Sequence, residues 1–189
     1  MLTNKLALDI HKSNVIAGWW TDLETGLPKE RCHSEMKMLQ ITELSEAMEG
    51  YRKNSMDDKL PQYKMLDVEL VDCMIRQLDV IGYLLVKNSQ FVIENYITSL
   101  QEDYEKQTEN VPVMLFNLTG SIVLTDYPAD QKDSVHHLVS CVSALYDVYE
   151  VALSLGVNIK EVMNAKRKFN ASRLDHKIEN RRAPEGKKC

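Results

Sequence analysis

The chain is predicted to be all-α, a bundle of roughly antiparallel helices, on three observations. Apolar residues recur at helical spacing along most of the sequence. Only seven glycines and five prolines interrupt 189 residues. The breakers that do occur fall between the periodic runs, as in the polar loop Asn54-Ser55-Met56-Asp57-Asp58 and at Gly156. With 44% hydrophobic residues, a chain of this length can bury one core, so residues 1–189 form a single domain.

In order along the chain, an irregular N-terminal arm is expected over about residues 1–31. A first long helix follows over about 32–53. Pro61 suits the first turn of a helix, which places the second helix over about 61–87. Further helices are expected over about 90–107, 111–125, 131–155 and 159–172. Gly156 stops the penultimate helix and Asn158 caps the last. From about residue 175 to 189 the chain is read as a loose basic tail.

The net charge of −5, with 27% charged residues, gives no support for binding a nucleic-acid polymer and is compatible with a cation site. The exception is the C-terminal region, where Lys166, Arg167, Lys168, Arg173, Lys177, Arg181, Arg182, Lys187 and Lys188 gather. Cys32, Cys73, Cys141 and Cys189 show no paired metal spacing, and Cys73 and Cys141 read as small core residues. No signal segment and no apolar run of about 20 residues is seen, so no membrane association and a reducing cytoplasm are expected.

Chemistry concentrates in two acidic pairs, Glu43 with Glu46 and Glu69 with Asp72. Each is spaced i, i+3 in a helical run, so both members share a face. Such pairs are common on solvated helix faces. Here acids alternate with apolar residues, which puts at least one acid of each pair beside the apolar stripe, where burial is costly without a partner. Four carboxylates from two neighbouring helices raise one another's pKa unless a counter-charge joins them. A hard divalent cation, Mg²⁺ or Mn²⁺, supplies it. Carboxylate-held Mg²⁺ commonly serves substrate phosphates, which points to hydrolysis of a phosphate ester or anhydride.

Lys166, Asn170 and Arg173 recur at i, i+4 and i+7 along one stripe of the last helix, suited to phosphate oxygens or, more plainly, to a solvated basic helix end. Trp19 and Trp20 offer aromatic faces to a nucleobase, or an apolar plug fastening the arm to the bundle. Asp79 and Glu49 read as surface charge and His33 as a surface residue. Arg76 sits four residues after Asp72 and reads as its ion-pair partner. The adjacent His136 and His137 face different directions. A weak internal repeat aligns residues 70–80 with 138–148, His137 and Ser140 standing where Glu69 and Asp72 stand.

Taken together, these residues resemble the MazG-type all-α nucleoside triphosphate pyrophosphohydrolases. Glu43-Leu44-Ser45-Glu46 matches the first element of the family signature and Glu69-Leu70-Val71-Asp72 the second. Lys166-Arg167-Lys168-Phe169-Asn170-Ala171-Ser172-Arg173 matches the third, with His176 just beyond. The similarity covers about residues 18–53, 60–87 and 155–177. Residues 88–154 separate the second and third elements, and a duplication would account for them by supplying helices that other members obtain from a partner chain.

The resemblance implies that Glu43, Glu46, Glu69 and Asp72 ligate Mg²⁺, with Mn²⁺ as a substitute. It implies that Lys166, Asn170 and Arg173 hold phosphate, and that a canonical or modified (d)NTP is cleaved to a nucleoside monophosphate and pyrophosphate. Glu46 is the first candidate for general base. A homo-oligomer, dimer or tetramer, is also implied. Two other classes compete: a non-catalytic helical interaction or regulatory module, and a redox di-metal carboxylate bundle, which would need a Glu-x-x-His motif that neither acidic pair provides.

Overall fold

A computed structural model describes residues 2–101, 110–125, 134–183 and 185–186. Among these the chain is all-helical and contains no β-strand beyond two isolated bridges. The helices are α1 (Asn4–Ile16), α2 (His33–Lys53), α3 (Met65–Lys87), α4 (Ile93–Gln101), α5 (Val111–Val123), α6 (Ser134–Ser154), α7 (Ile159–Ser172) and α8 (Ile178–Arg182). No single helix among them is long and apolar enough to cross a membrane.

The reading from sequence meets four corrections. The N-terminal arm is not irregular throughout, because α1 occupies most of its first half. Thr3 starts it, its hydroxyl accepting from the Leu6 amide at 3.1 Å, and Ala7 and Ile10, one turn apart, enter the core. Pro61 does not open the second helix. The Asp57 carboxylate accepts from the amides of Lys59 and Leu60, and Met65 N–H donates to Ser55 at 3.0 Å, so residues 55–64 close a tight turn and α3 begins at Met65.

The third correction concerns the C-terminal region, which is not loose as far as it is described. A 3₁₀ turn over Leu174–His176 and α8 continue the chain, and Arg181 is only 2% exposed. Its guanidinium lies 3.6 Å from the Trp19 ring centroid and donates to the Ala17 carbonyl at 3.3 Å. Lys187, Lys188 and Cys189, like the expected helical residues 102–107 and 131–133, fall outside the described residues.

Helix α3 is buried around most of its circumference, with Val68, Leu70, Met74, Leu78 and Ile81 sealed from solvent, which is the pattern of a central helix. Helices α1, α2, α6 and α7 pack around it. Gly50 near the end of α2 abuts the start of α3, where an added Cβ would lie 2.8 Å from the Leu66 nitrogen. Helices α2 and α3 therefore run antiparallel. Helix α1 is also antiparallel to α3, and their close crossing requires Gly82: a Cβ there would stand 2.5 Å from the Ala7 carbonyl oxygen and from His11 Cβ. Helix α7 instead runs parallel to α3, because Tyr63 meets Glu161 and, further along both segments, Asp72 meets Lys166. The bundle is thus mixed rather than antiparallel throughout.

Candidate metal centre

The buried stripe of α2 comprises Met36, Gln40, Glu43, Leu44, Ala47 and Gly50, a three-to-four-residue rhythm that carries Glu43 into the interface with α3. Glu69 is drawn inside because nearly every face of α3 is covered. One oxygen from each of Glu43, Glu69 and Asp72 falls within 4.8 Å of the others. The four-carboxylate expectation becomes three. Glu46 is exposed and outside this group, since three residues beyond Glu43 the helix has turned off the buried stripe.

Two cations face the three acids. Arg76 Nε donates to Glu43 Oε1 at 2.5 Å, so Arg76 pairs across to α2 and not with Asp72 on its own helix. Lys166 Nζ lies 2.6 Å from Asp72 Oδ2, and Lys166 is 3% exposed. The stripe on α7 is therefore not a solvated basic face at this point. Asp72 Oδ1 and the Asn170 side-chain oxygen are buried without a hydrogen-bond partner.

Burial is the main force on the titration of the group. It pushes the Glu69 carboxyl well above the usual range, reinforced by a hydrogen bond with Glu43 and by the Asp72 charge. It also raises Asp72 to about 6, outweighing the attraction of Lys166. For Lys166 burial works against the charge, but Asp72 more than compensates and its pKa rises. With Glu69 protonated, Glu43 and Asp72 are balanced by Arg76 and Lys166, and only loss of the Glu69 proton leaves one negative charge in surplus. The donors are hard oxygens and one is an orphaned carboxylate oxygen, so the set fits a hard divalent cation.

A cavity of about 400 Å³ opens beside the cluster. Asp72 lines it, together with Trp19, Arg76, Asp79, Asn170 and Arg173. The two tryptophans part company here. Trp20 is buried, its indole N–H donating to both Asp79 oxygens at 3.0 and 3.1 Å and its ring stacked on Tyr83 at 4.6 Å. It is the plug, and Trp19 is the ring that faces the cavity. Arg173 is held against Asp175, its Nε 2.8 Å from Oδ1.

Three single-residue readings are corrected. Asp79 is not surface charge: Trp20 and His11, whose Nδ1 is 2.9 Å away, enclose it. His33 is half-buried, its ring 4.7 Å from that of His137, and burial lowers its pKa to about 4. Lys166 does not line the cavity but sits among the acids. Glu49 does behave as surface charge, pairing with Arg52 and Lys53. Asn14 and Arg31, which also line the cavity, gave no sequence signal because they lie in the stretch read as irregular. Comparison with family models, curated proteins and solved structures finds no match.

Proposed function

We propose that the protein is an Mg²⁺-dependent pyrophosphohydrolase of (deoxy)nucleoside triphosphates, of the MazG type, releasing a nucleoside monophosphate and pyrophosphate. One observation carries this reading: Glu43, Glu69 and Asp72 converge at the edge of a nucleotide-sized cavity that Asn170 and Arg173 also line. Glu43, Glu69 and Asp72 would hold Mg²⁺, or Mn²⁺ in its place. A divalent ion bound there would polarise phosphoryl oxygens and acidify a water for in-line attack.

The chain's own residues do the rest. Arg173 engages Asp175 through its Nε and one terminal nitrogen and has its remaining N–H groups to offer phosphate oxygens, and the Asn170 amide lies one turn away on the same stripe. Trp19 presents a ring on which a base can stack, steadied from behind by Arg181. Leu39, Met36 and Ile75 keep the adjoining wall apolar. The proton of the attacking water needs an acceptor. Glu46 is the candidate from sequence, and its exposed carboxylate lies outside the group that would hold the ion, which leaves it unligated for that task. Association into a homo-oligomer belongs to the same reading, and Phe116 and Leu124 of the α5 segment are strongly exposed apolar residues available to it.

A second reading has one observation in its favour. Arg76 and Lys166 already pair two of the three acids, as structural ion pairs in a non-catalytic interaction module would. Incubation with each common NTP and dNTP plus Mg²⁺ or Mn²⁺, with products resolved by chromatography, decides between them. Pyrophosphate release that disappears in Glu69→Gln and Asp72→Asn supports the enzyme. No release from any nucleotide, or undiminished release in both variants, ends it.

A further inference from the structure

Lys166 occupies an unusual place for a phosphate-binding lysine. It shares one stripe of α7 with Asn170 and Arg173, yet those two line the cavity while the Lys166 ammonium is turned into the acid group. It is 3% exposed and 2.6 Å from Asp72 Oδ2, while Asp72 Oδ1 has no partner. The ammonium and a divalent ion would therefore draw on the same carboxylate. Two cations cannot share a buried carboxylate at contact distance without strong mutual repulsion. A flexible four-carbon stem lets the ammonium leave without disturbing its helix. The neighbouring positions on its stripe open onto the cavity where an anionic ligand would lie.

We propose that Lys166 is a movable counter-cation: it holds Asp72 until a divalent ion takes that carboxylate, and the released ammonium then serves a phosphate group in the adjoining cavity. This rests on the metal reading given above and adds to it a coupling between the two ligands. The metal frees the lysine that phosphate needs, and phosphate retains the lysine that would otherwise compete with the metal. By linkage each must raise the affinity of the other. Exchange of one cation for another also explains how a buried acid group stays folded before the metal arrives.

The test uses the full chain and needs no turnover. Mn²⁺ is titrated calorimetrically into wild type and Lys166→Met without nucleotide. The variant is expected to bind Mn²⁺ about tenfold more tightly, within the usual span of such couplings. Its metal-free form should melt at lower temperature and recover on adding Mn²⁺. Inorganic pyrophosphate, titrated with Mg²⁺ in excess, should bind the variant about tenfold more weakly. In the wild type, which serves should the variant fail to fold, a slowly exchanging lysine ammonium NMR signal should be present without metal and shift or vanish as Mg²⁺ is added. Mn²⁺ affinity unchanged or weakened in Lys166→Met, or an ammonium signal indifferent to Mg²⁺, overturns the proposal. Mn²⁺ binding to neither protein overturns the metal reading itself and leaves Lys166 a fixed structural ion pair.

Discussion

Arg76 and Glu43 are joined across the α2–α3 interface, the guanidinium donating to a carboxylate that is only 4% exposed. Removing the cation strands a buried charge. Arg76→Met should lower the stability of the metal-free protein by about 1–3 kcal/mol, below the cost for a wholly buried pair because the Arg76 side chain is 40% exposed. Urea unfolding of both proteins measures it. A change under about 0.5 kcal/mol would mean that Glu43 is protonated or solvated in the folded state.

Glu69 works against the fold and, on the proposed function, for the site. Glu69→Gln should raise metal-free stability by about 1 kcal/mol at mild alkaline pH, since it replaces a carboxyl that must take up a proton to be buried beside two other acids. The same change should weaken Mn²⁺ binding at least about tenfold. Glu46→Gln, altering an exposed side chain, should move stability by no more than about 0.5 kcal/mol and cost less Mn²⁺ affinity than Glu69→Gln. Thermal melts with parallel Mn²⁺ titrations compare all three, and an opposite ranking would restore Glu46 as the principal ligand on α2.

The raised acids fix the sign of a pH effect. Asp72, at about 6, and Glu69, also raised, hold protons in the folded state that they would release on unfolding. Their stabilising contribution is complete below the ordinary carboxylate range and is lost as pH rises through about 6 and beyond. Metal binding needs the deprotonated forms, so Mn²⁺ affinity should move the other way and fall by about tenfold or more when pH drops from about 7.5 to about 5.5. Calorimetric titration across that range checks it; a flat profile would place the metal elsewhere.

His33 supplies an opposing limb. Its pKa is depressed from 6.5 to about 4, chiefly by burial, so its contribution is present above 6.5 and lost as pH falls toward about 4. His33→Gln should therefore flatten the acid side of the stability profile while leaving the Asp72 and Glu69 limb in place. Denaturation midpoints collected every half unit of pH would separate the two.

The tryptophans should differ in their effect on nucleotide binding. Trp20→Phe deletes the indole donor to buried Asp79 and should cost about 1–2 kcal/mol while leaving nucleotide affinity unchanged. On the proposed function, Trp19→Ala should raise KM with a smaller effect on kcat, and it should also lower stability because its ring covers the buried Arg181 guanidinium. Equal effects of the two on KM would show that the cavity wall extends to both rings.

Much of this was legible in the amino acids. Helical periodicity marks α2, α5 and α7 closely, because their apolar spacing is regular and their ends carry plain signals such as Asn158 before α7. The acid group was legible too, since Glu43, Glu69 and Asp72 lie among apolar residues. Helix α1 was hidden by its short apolar stripe: Ala7 and Ile10 are small or few, and the packing that holds them depends on a distant glycine, Gly82. The exclusion of Glu46 turns on about 60° of rotation around α2, which a spacing of three residues leaves undecided. The partners of Asp79 and Arg76 come from other helices, and no local pattern encodes a tertiary neighbour.

Helix α3 carries both Asp72 at the acid group and Asp79 deeper along the cavity wall, seven residues apart on one covered rod. At 1.5 Å per residue that separation is about 10 Å along the axis, and the helix cannot stretch. The rod is thus a ruler: it holds the acid group about that far from the point where Trp20 is anchored on Asp79. Inserting or deleting a single residue between them would swing one mark roughly 100° away from the other, so the placement of the acid group relative to the Trp20 anchor is written into a helical repeat and cannot be retuned by loop changes alone.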